Sequence, residues 1–160
     1  MGTSLKRRLA AILSADVVGY SRLMNRDEAG TLTALKTCEA QIIEPVVKAH
    51  HGRIFKRMGD GYLVEFASAV DLVECGLAWQ HSLLAQQDQP LTFRLGASVG
   101  EVVDEEGDLF GDQVNLAARM QALAQPGGLA LTEDAFRQVR NRVEVEFHDL
   151  GPQEIGRAHV

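Results

Sequence analysis

The order of strand-like and helix-like segments predicts an α+β fold. The expected form is a ferredoxin-like sandwich: a βαββαβ core with extra C-terminal elements, and helices on one face of a mainly antiparallel sheet. Three observations carry this. The run 9–18 has the length and apolar composition of a buried strand. Two later segments, 25–52 and 68–85, space their apolar residues as helices do. Between them, two short β-prone segments flank Gly59-Asp60-Gly61, a hairpin signature. A chain of 160 residues suits one domain with a substantial core.

The first strand breaks at Gly19-Tyr20-Ser21. Asn25 and Glu28 have capping-box spacing ahead of a stripe of Leu32, Leu35, Ile42 and Val46. Pro45 lacks an N–H, so it should kink that helix or mark a boundary in it. Gly52 should end it, with His50 and His51 in the last turn, where imidazolium suits the helix dipole; the pair reads as structural. Strands follow at 53–56 and 62–66. Ser68 and Asp71 suit the cap of the next helix, which reaches about Ala85 with Val73, Leu77 and Leu84 on its stripe and Trp79 nearby. A loop (86–90), a strand (91–99) and an acidic hairpin arm (100–108) come next. Asp112 opens a third helix that Pro126-Gly127-Gly128 stops. A strand (129–132), a short helix (133–140) and a strand (143–147) complete the pattern.

Apolar content of 46% and charged content of 24% are ordinary for a soluble domain. A net charge of −6 argues against a nonspecific nucleic-acid or membrane-surface binder. It is compatible with a nucleotide ligand, because a divalent metal would supply positive charge locally. Cys38 and Cys75 match no metal or redox spacing and read as buried thiols of a reduced, cytoplasmic protein. No apolar stretch reaches the roughly 20 residues of a membrane span. Lys6-Arg7-Arg8 precedes an apolar run, but that run contains Asp16 and lacks a small-residue cleavage pattern, so it reads as a solvated lead-in to a strand. Neither nucleic acid nor membrane is expected as a partner.

Three polar groupings carry the chemistry. Asp16 interrupts the apolar strand, and an unpaired carboxylate there costs several kcal/mol, so it needs a partner or a strand-end position. Asp60 has the alternative of a simple turn residue, but in the inferred fold its hairpin neighbours the first strand. The two carboxylates would then converge, as Mg²⁺ or Mn²⁺ prefers. Gly19 would let the backbone approach closely, and the helix start after it offers free N–H groups to phosphate. Asn115 and Arg119 are four apart and share a helix face, supplying an amide for a ribose and a guanidinium fork for a phosphate that gains charge.

Ordered along the chain are Ala15-Asp-Val-Val-Gly-Tyr-Ser-Arg-Leu-Met24, Lys56-Arg-Met-Gly-Asp-Gly-Tyr-Leu-Val-Glu-Phe66 and Asp108-Leu-Phe-Gly-Asp-Gln-Val-Asn-Leu-Ala-Ala-Arg-Met120. With these blocks the chain resembles a class III nucleotide cyclase catalytic domain, specifically the bacterial adenylate cyclases, over 8–151. The resemblance implies that Asp16, Asp60 and the Val17 carbonyl bind two divalent cations, and that Val18, Gly19, Tyr20 and Ser21 form the phosphate-binding loop. It implies that Lys56 and Asp108 select adenine, Asn115 orients the ribose and Arg119 stabilises the reacting α-phosphate. A lysine donor and an aspartate acceptor complement adenine N1 and N6, and mismatch guanine. ATP would be converted to cyclic AMP and pyrophosphate at sites shared between the two subunits of a homodimer.

Past Asp149-Leu150-Gly151 the sequence leaves the family pattern, which continues into a closing hairpin bearing a lysine for the terminal phosphates. Lys56 is the last lysine, and Arg157 is a weak substitute. Glu154 to Val160 reads like a translated sequencing adapter, so 152–160 is expected to be a non-native or truncated tail. The missing lysine favours an alternative: a dimerising nucleotide-binding regulatory module that turns over little.

Overall fold

The computed structural model describes residues 5–86 and 88–151. The tail reading, 152–160, lies outside them.

The central strand β1 spans Leu5–Val17 and is buried from Ala10 to Ala15 on both faces. The basic lead-in is therefore already strand, with its charges at the exposed end. Helix α1 (Tyr20–Arg26) and helix α2 (Glu28–Cys38) follow. Asn25 lies inside α1, and Asp27 caps α2 instead, accepting from the Gly30 amide at 2.9 Å. The extended backbone of Asp27 (φ −160°) separates the two helices, so the expected capping box at Asn25 does not form. A π-helical turn, Glu39–Ile43, leads into α3 (Glu44–Ala49), so Pro45 marks a boundary rather than a kink within one helix. At its end the Gly52 and His51 amides bond back to Val47 and Lys48, while His51 itself takes the left-handed conformation. His50 Nδ1 contacts the Val46 carbonyl at 2.8 Å, a structural role.

Strands β2 (Arg53–Met58) and β3 (Gly61–Phe66) form the hairpin, and Ser68 caps α4 (Ala69–Ala85). Strand β4 runs from Phe93 to Glu105, absorbing most of the expected acidic arm, and turns into β5 (Asp108–Phe110). Helix α5 (Asp112–Leu123), strand β6 (Leu129–Leu131) and helix α6 (Glu133–Val139) follow. No strand forms at 143–147. Val143 and Phe147 instead pack on the core, Phe147 edge-on to Phe136 at 4.9 Å.

The sheet order β2-β3-β1-β4-β5, with β6 parallel to the first half of β4, is the βαββαβ arrangement expected. Helices α2, α3, α4 and α6 bury one face around Trp79, Phe93, Tyr62, Ile43 and Leu72. Cys38 and Cys75 are buried in that layer, and burial pushes their thiols up to about 11 and about 12. Helix α5 departs from the one-face expectation: with Ala10, Ile12, Val102 and Leu109 it covers the other side of the sheet. In a flat sheet β2 and β5 would lie four strand spacings apart, roughly 19 Å. Here the sheet coils over the α5 side until Lys56 of β2 reaches Asp108 of β5 at 3.9 Å and Arg53 donates to the Gly107 carbonyl. Among the described residues, no helix is long and apolar enough to cross a membrane.

Candidate active site

Asp16 and Asp60 meet by strand pairing. Asp16 lies opposite Gly61 in the β1–β3 ladder, and the Val17 amide donates to the Asp60 carbonyl at 3.0 Å. Alternation along β1 sends Ser14 and Asp16 to the α5 side. There they line a cleft of about 310 Å³ with Asp60 and with Val114, Asn115 and Ala118 of α5. Burial, and then the hydrogen bond and negative charge of Asp60, push the Asp16 carboxyl up to about 6. The Val17 amide and Arg94 pull it the other way.

Two converging carboxylates fit a hard divalent cation, whose charge would offset the repulsion that raises Asp16. Among the described residues no group of three or more His, Cys, Asp and Glu could hold a metal. A cation at Asp16 and Asp60 would thus keep positions open for water and phosphate oxygens, as Mg²⁺ does.

Beyond Val17, the Val18 amide is tied to the Thr92 carbonyl at 2.8 Å. Gly19 then adopts φ 65°, ψ 33° and starts α1, with no side chain capping that end. No heavy atom lies within 4 Å of a hypothetical Gly19 Cβ, so the backbone conformation, not space, asks for glycine. The early α1 amides of Tyr20 and Ser21 thus have no capping side chain at the end of β1.

Lys56 and Asp108 are side by side, their side chains 43% and 40% exposed, with the Lys56 ammonium 5.9 Å from the Phe110 ring centre. Asp108 is the first residue of strand β5. Its Oδ1 is a buried acceptor with no hydrogen-bond partner. A site built to receive a donor leaves such an atom.

Asn115 and Arg119 sit one turn apart on α5, both exposed. Asn115 lines the cleft with the aspartates, while Arg119 lies one turn beyond its lining. Close packing sets the height of α5. A Cβ on Gly96 would fall 2.0 Å from the Gln121 nitrogen and 2.5 Å from the Ala117 oxygen. Ser98 Oγ adds a 2.6 Å hydrogen bond to the Gln113 carbonyl.

Arg94 escaped sequence reasoning. It lies opposite Asp16 in the β1–β4 ladder, its charge acts on the Asp16 carboxyl, and its Nε donates to the Ala124 carbonyl at 3.0 Å. Its only sequence signal was a charged residue inside an apolar strand, the signal that singled out Asp16.

The described fold agrees with three comparisons. The family model for the adenylate and guanylate cyclase catalytic domain matches residues 6–158. A Rhizobium meliloti (strain 1021) protein provisionally named adenylate cyclase 3 is 48% identical over 157 residues, covering 95% of this chain and 27% of that protein. The chain thus spans about a quarter of that relative's length. The crystal structure of an adenylate/guanylate cyclase/hydrolase from Silicibacter pomeroyi superposes with a TM-score of 0.90 at 36% identity, covering 98% of this chain and 95% of that one. The catalytic core of a rhodopsin-guanylyl cyclase with converted specificity, in complex with ATPαS, superposes at 0.88 with 19% identity, covering 98% and 94%, a likeness of fold. Matched over nearly its whole length, the chain belongs to the family of adenylate and guanylate cyclase catalytic domains.

Proposed function

We propose that this domain is an adenylate cyclase, acting in the cytoplasm as a homodimer with two shared sites. The ribose 3′-oxygen of ATP loses its proton and bonds to the α-phosphorus. The bond from that phosphorus to the bridging oxygen breaks, and pyrophosphate leaves. One observation carries the reading: strand pairing brings the carboxylates of Asp16 and Asp60 together at an open cleft.

Asp16 and Asp60, with the Val17 carbonyl, would hold two divalent cations, Mg²⁺ or Mn²⁺, whose charge activates the hydroxyl and neutralises the leaving group. Amides of Gly19, Tyr20 and Ser21 would receive phosphate oxygens, while Val18, whose amide is bonded to the Thr92 carbonyl, would shape the loop without donating. Arg94, beside Asp16, would add a cation for the same phosphates. Lys56 would donate to adenine N1, and the unsatisfied Asp108 Oδ1 would accept from N6. Asn115 would orient the ribose, and Arg119 would take up the charge that grows on the α-phosphate. The exposure of Lys56, Asp108, Asn115 and Arg119 supports a second copy closing over this face.

The test is cyclic nucleotide formation by the purified chain from ATP and from GTP, in Mn²⁺, beside Asp16→Ala. Cyclic AMP that disappears in Asp16→Ala supports the reading. Robust cyclic GMP would overturn the base assignment. ATP binding without product would favour the silent regulatory module.

A further inference from the structure

Residues five apart on an α-helix point roughly 140° away from each other, so Glu39 and Glu44 could not serve one partner from a regular helix. They do so here. Glu39 Oε2 accepts from Arg57 Nε at 2.9 Å, and Glu44 Oε1 accepts from Arg57 Nη2 at 3.0 Å. The π-helical turn Glu39–Ile43 brings them to one side, with the Glu44 amide bonded to the Glu39 carbonyl. Pro45, which has no N–H for the carbonyl four residues back, gives that turn a cause in the sequence. The other Glu39 oxygen takes the Tyr62 hydroxyl at 2.8 Å.

Arg57 and Tyr62 are cross-strand partners in the β2–β3 ladder, just short of the tip that carries Asp60. The carboxylates therefore fasten the outer face of the hairpin to the helix layer. The inner face of the same hairpin carries Lys56 toward Asp108 and Asp60 toward Asp16. Strand β2 is an edge strand whose register shifts between Ile54 and Lys56, so its own ladder holds it loosely. We propose that Glu39, Glu44 and Arg57 are positioning residues, which fix where the hairpin holds the adenine-selecting Lys56 and the metal-binding Asp60. This rests on the adenylate cyclase reading above.

The experiment compares wild type, Glu39→Gln, Arg57→Lys and, as a control for losing an exposed ion pair, Glu133→Gln on α6, whose partner Arg137 is 2.6 Å away. Glu39→Gln should raise the half-saturating Mn²⁺ concentration about 10-fold or more, the range for losing a group that orients a metal ligand. It should also lower the ratio of ATP to GTP turnover. Arg57→Lys, which keeps charge but loses the fork, should do the same more weakly. Glu133→Gln should change neither. Hydrogen exchange across 57–62 should quicken in Glu39→Gln and Arg57→Lys. A lowered Tm with unchanged metal requirement, base ratio and exchange would overturn the proposal while leaving the cyclase reading intact. If wild type makes no cyclic nucleotide, the cyclase reading fails and the exchange decides alone: faster exchange keeps the clamp, unchanged exchange removes it. Should Glu39→Gln fail to fold, Arg57→Lys carries the same readouts.

Discussion

Replacing Gly96 with alanine adds one methyl group, and the structure says where it goes. The new Cβ would lie 2.0 Å from the Gln121 nitrogen and 2.5 Å from the Ala117 oxygen and the Gln121 Cα. All three are backbone atoms of α5, which cannot swing aside as a side chain tip can. Restoring an ordinary contact of about 3.4 Å needs α5 to retreat by roughly 1.4 Å. Overpacking of this kind costs about 1–3 kcal/mol. At about 2–4 °C per kcal/mol for a chain of this size, Tm should fall by roughly 2–12 °C. The functional loss should be larger, because α5 carries Asn115 and Arg119 while the aspartates stay on the sheet. A displacement near 1 Å can lower turnover about 10²-fold. Gly19→Ala is the comparator: its Cβ meets nothing, so it should cost only the left-handed backbone conformation, about 1–2 kcal/mol, with α5 unmoved. Circular-dichroism melting, with cyclic AMP formation measured on the folded protein, checks both. Wild-type Tm and turnover in Gly96→Ala would refute the reasoning, because α5 would then not be seated on Gly96.

The Asp16 carboxyl binds its proton more tightly in the folded chain (about 6, against an ordinary 3.8), so the metal-free protein should lose stability as pH rises from about 4 through about 6. Tm measured in EDTA across that window should fall, and Asp16→Asn should flatten the fall; a rise in the wild type would contradict the assignment. Over the same window Mn²⁺ should bind more tightly as pH rises and should expel protons. Titration calorimetry in buffers of different ionisation enthalpy reads that release, and its absence at pH 5.5 would place the cation elsewhere.

Residues that offend their local pattern were the legible ones. Asp16 stood out because it breaks an apolar strand, and Asp60 because Gly-Asp-Gly marks a tip. Asn115 and Arg119 were readable because helical spacing puts residues four apart on one face. The sandwich core followed from segment order. The placement of α5 on the opposite face from the other helices was hidden, since its signals are only a glycine on β4 and small residues, Ala117 and Ala118, on the helix. The cap at Asp27 rather than Asn25 turned on one extended residue that no spacing rule identifies. The 143–147 segment had strand alternation, but alternation says nothing of whether a pairing partner lies alongside, and here Val143 and Phe147 pack on the core instead. The Glu39–Arg57–Tyr62 contacts were invisible because five-residue spacing lies outside the helical periods used to read sequences. Arg94 was overlooked because its meaning depends on its partner across β1 and β4.

The claim that two copies build each site is tested most directly by mixing two inactive variants, Asp16→Ala and Arg119→Ala, each folded and each assayed alone. If the aspartates of one chain work with the α5 residues of another, mixed dimers contain one intact site. Cyclic AMP should then appear at about a quarter of the wild-type rate, since half the dimers are mixed and each holds one site of two. A mixture that stays inactive beside an active wild type, with subunit exchange verified, would mean that each chain completes its own site.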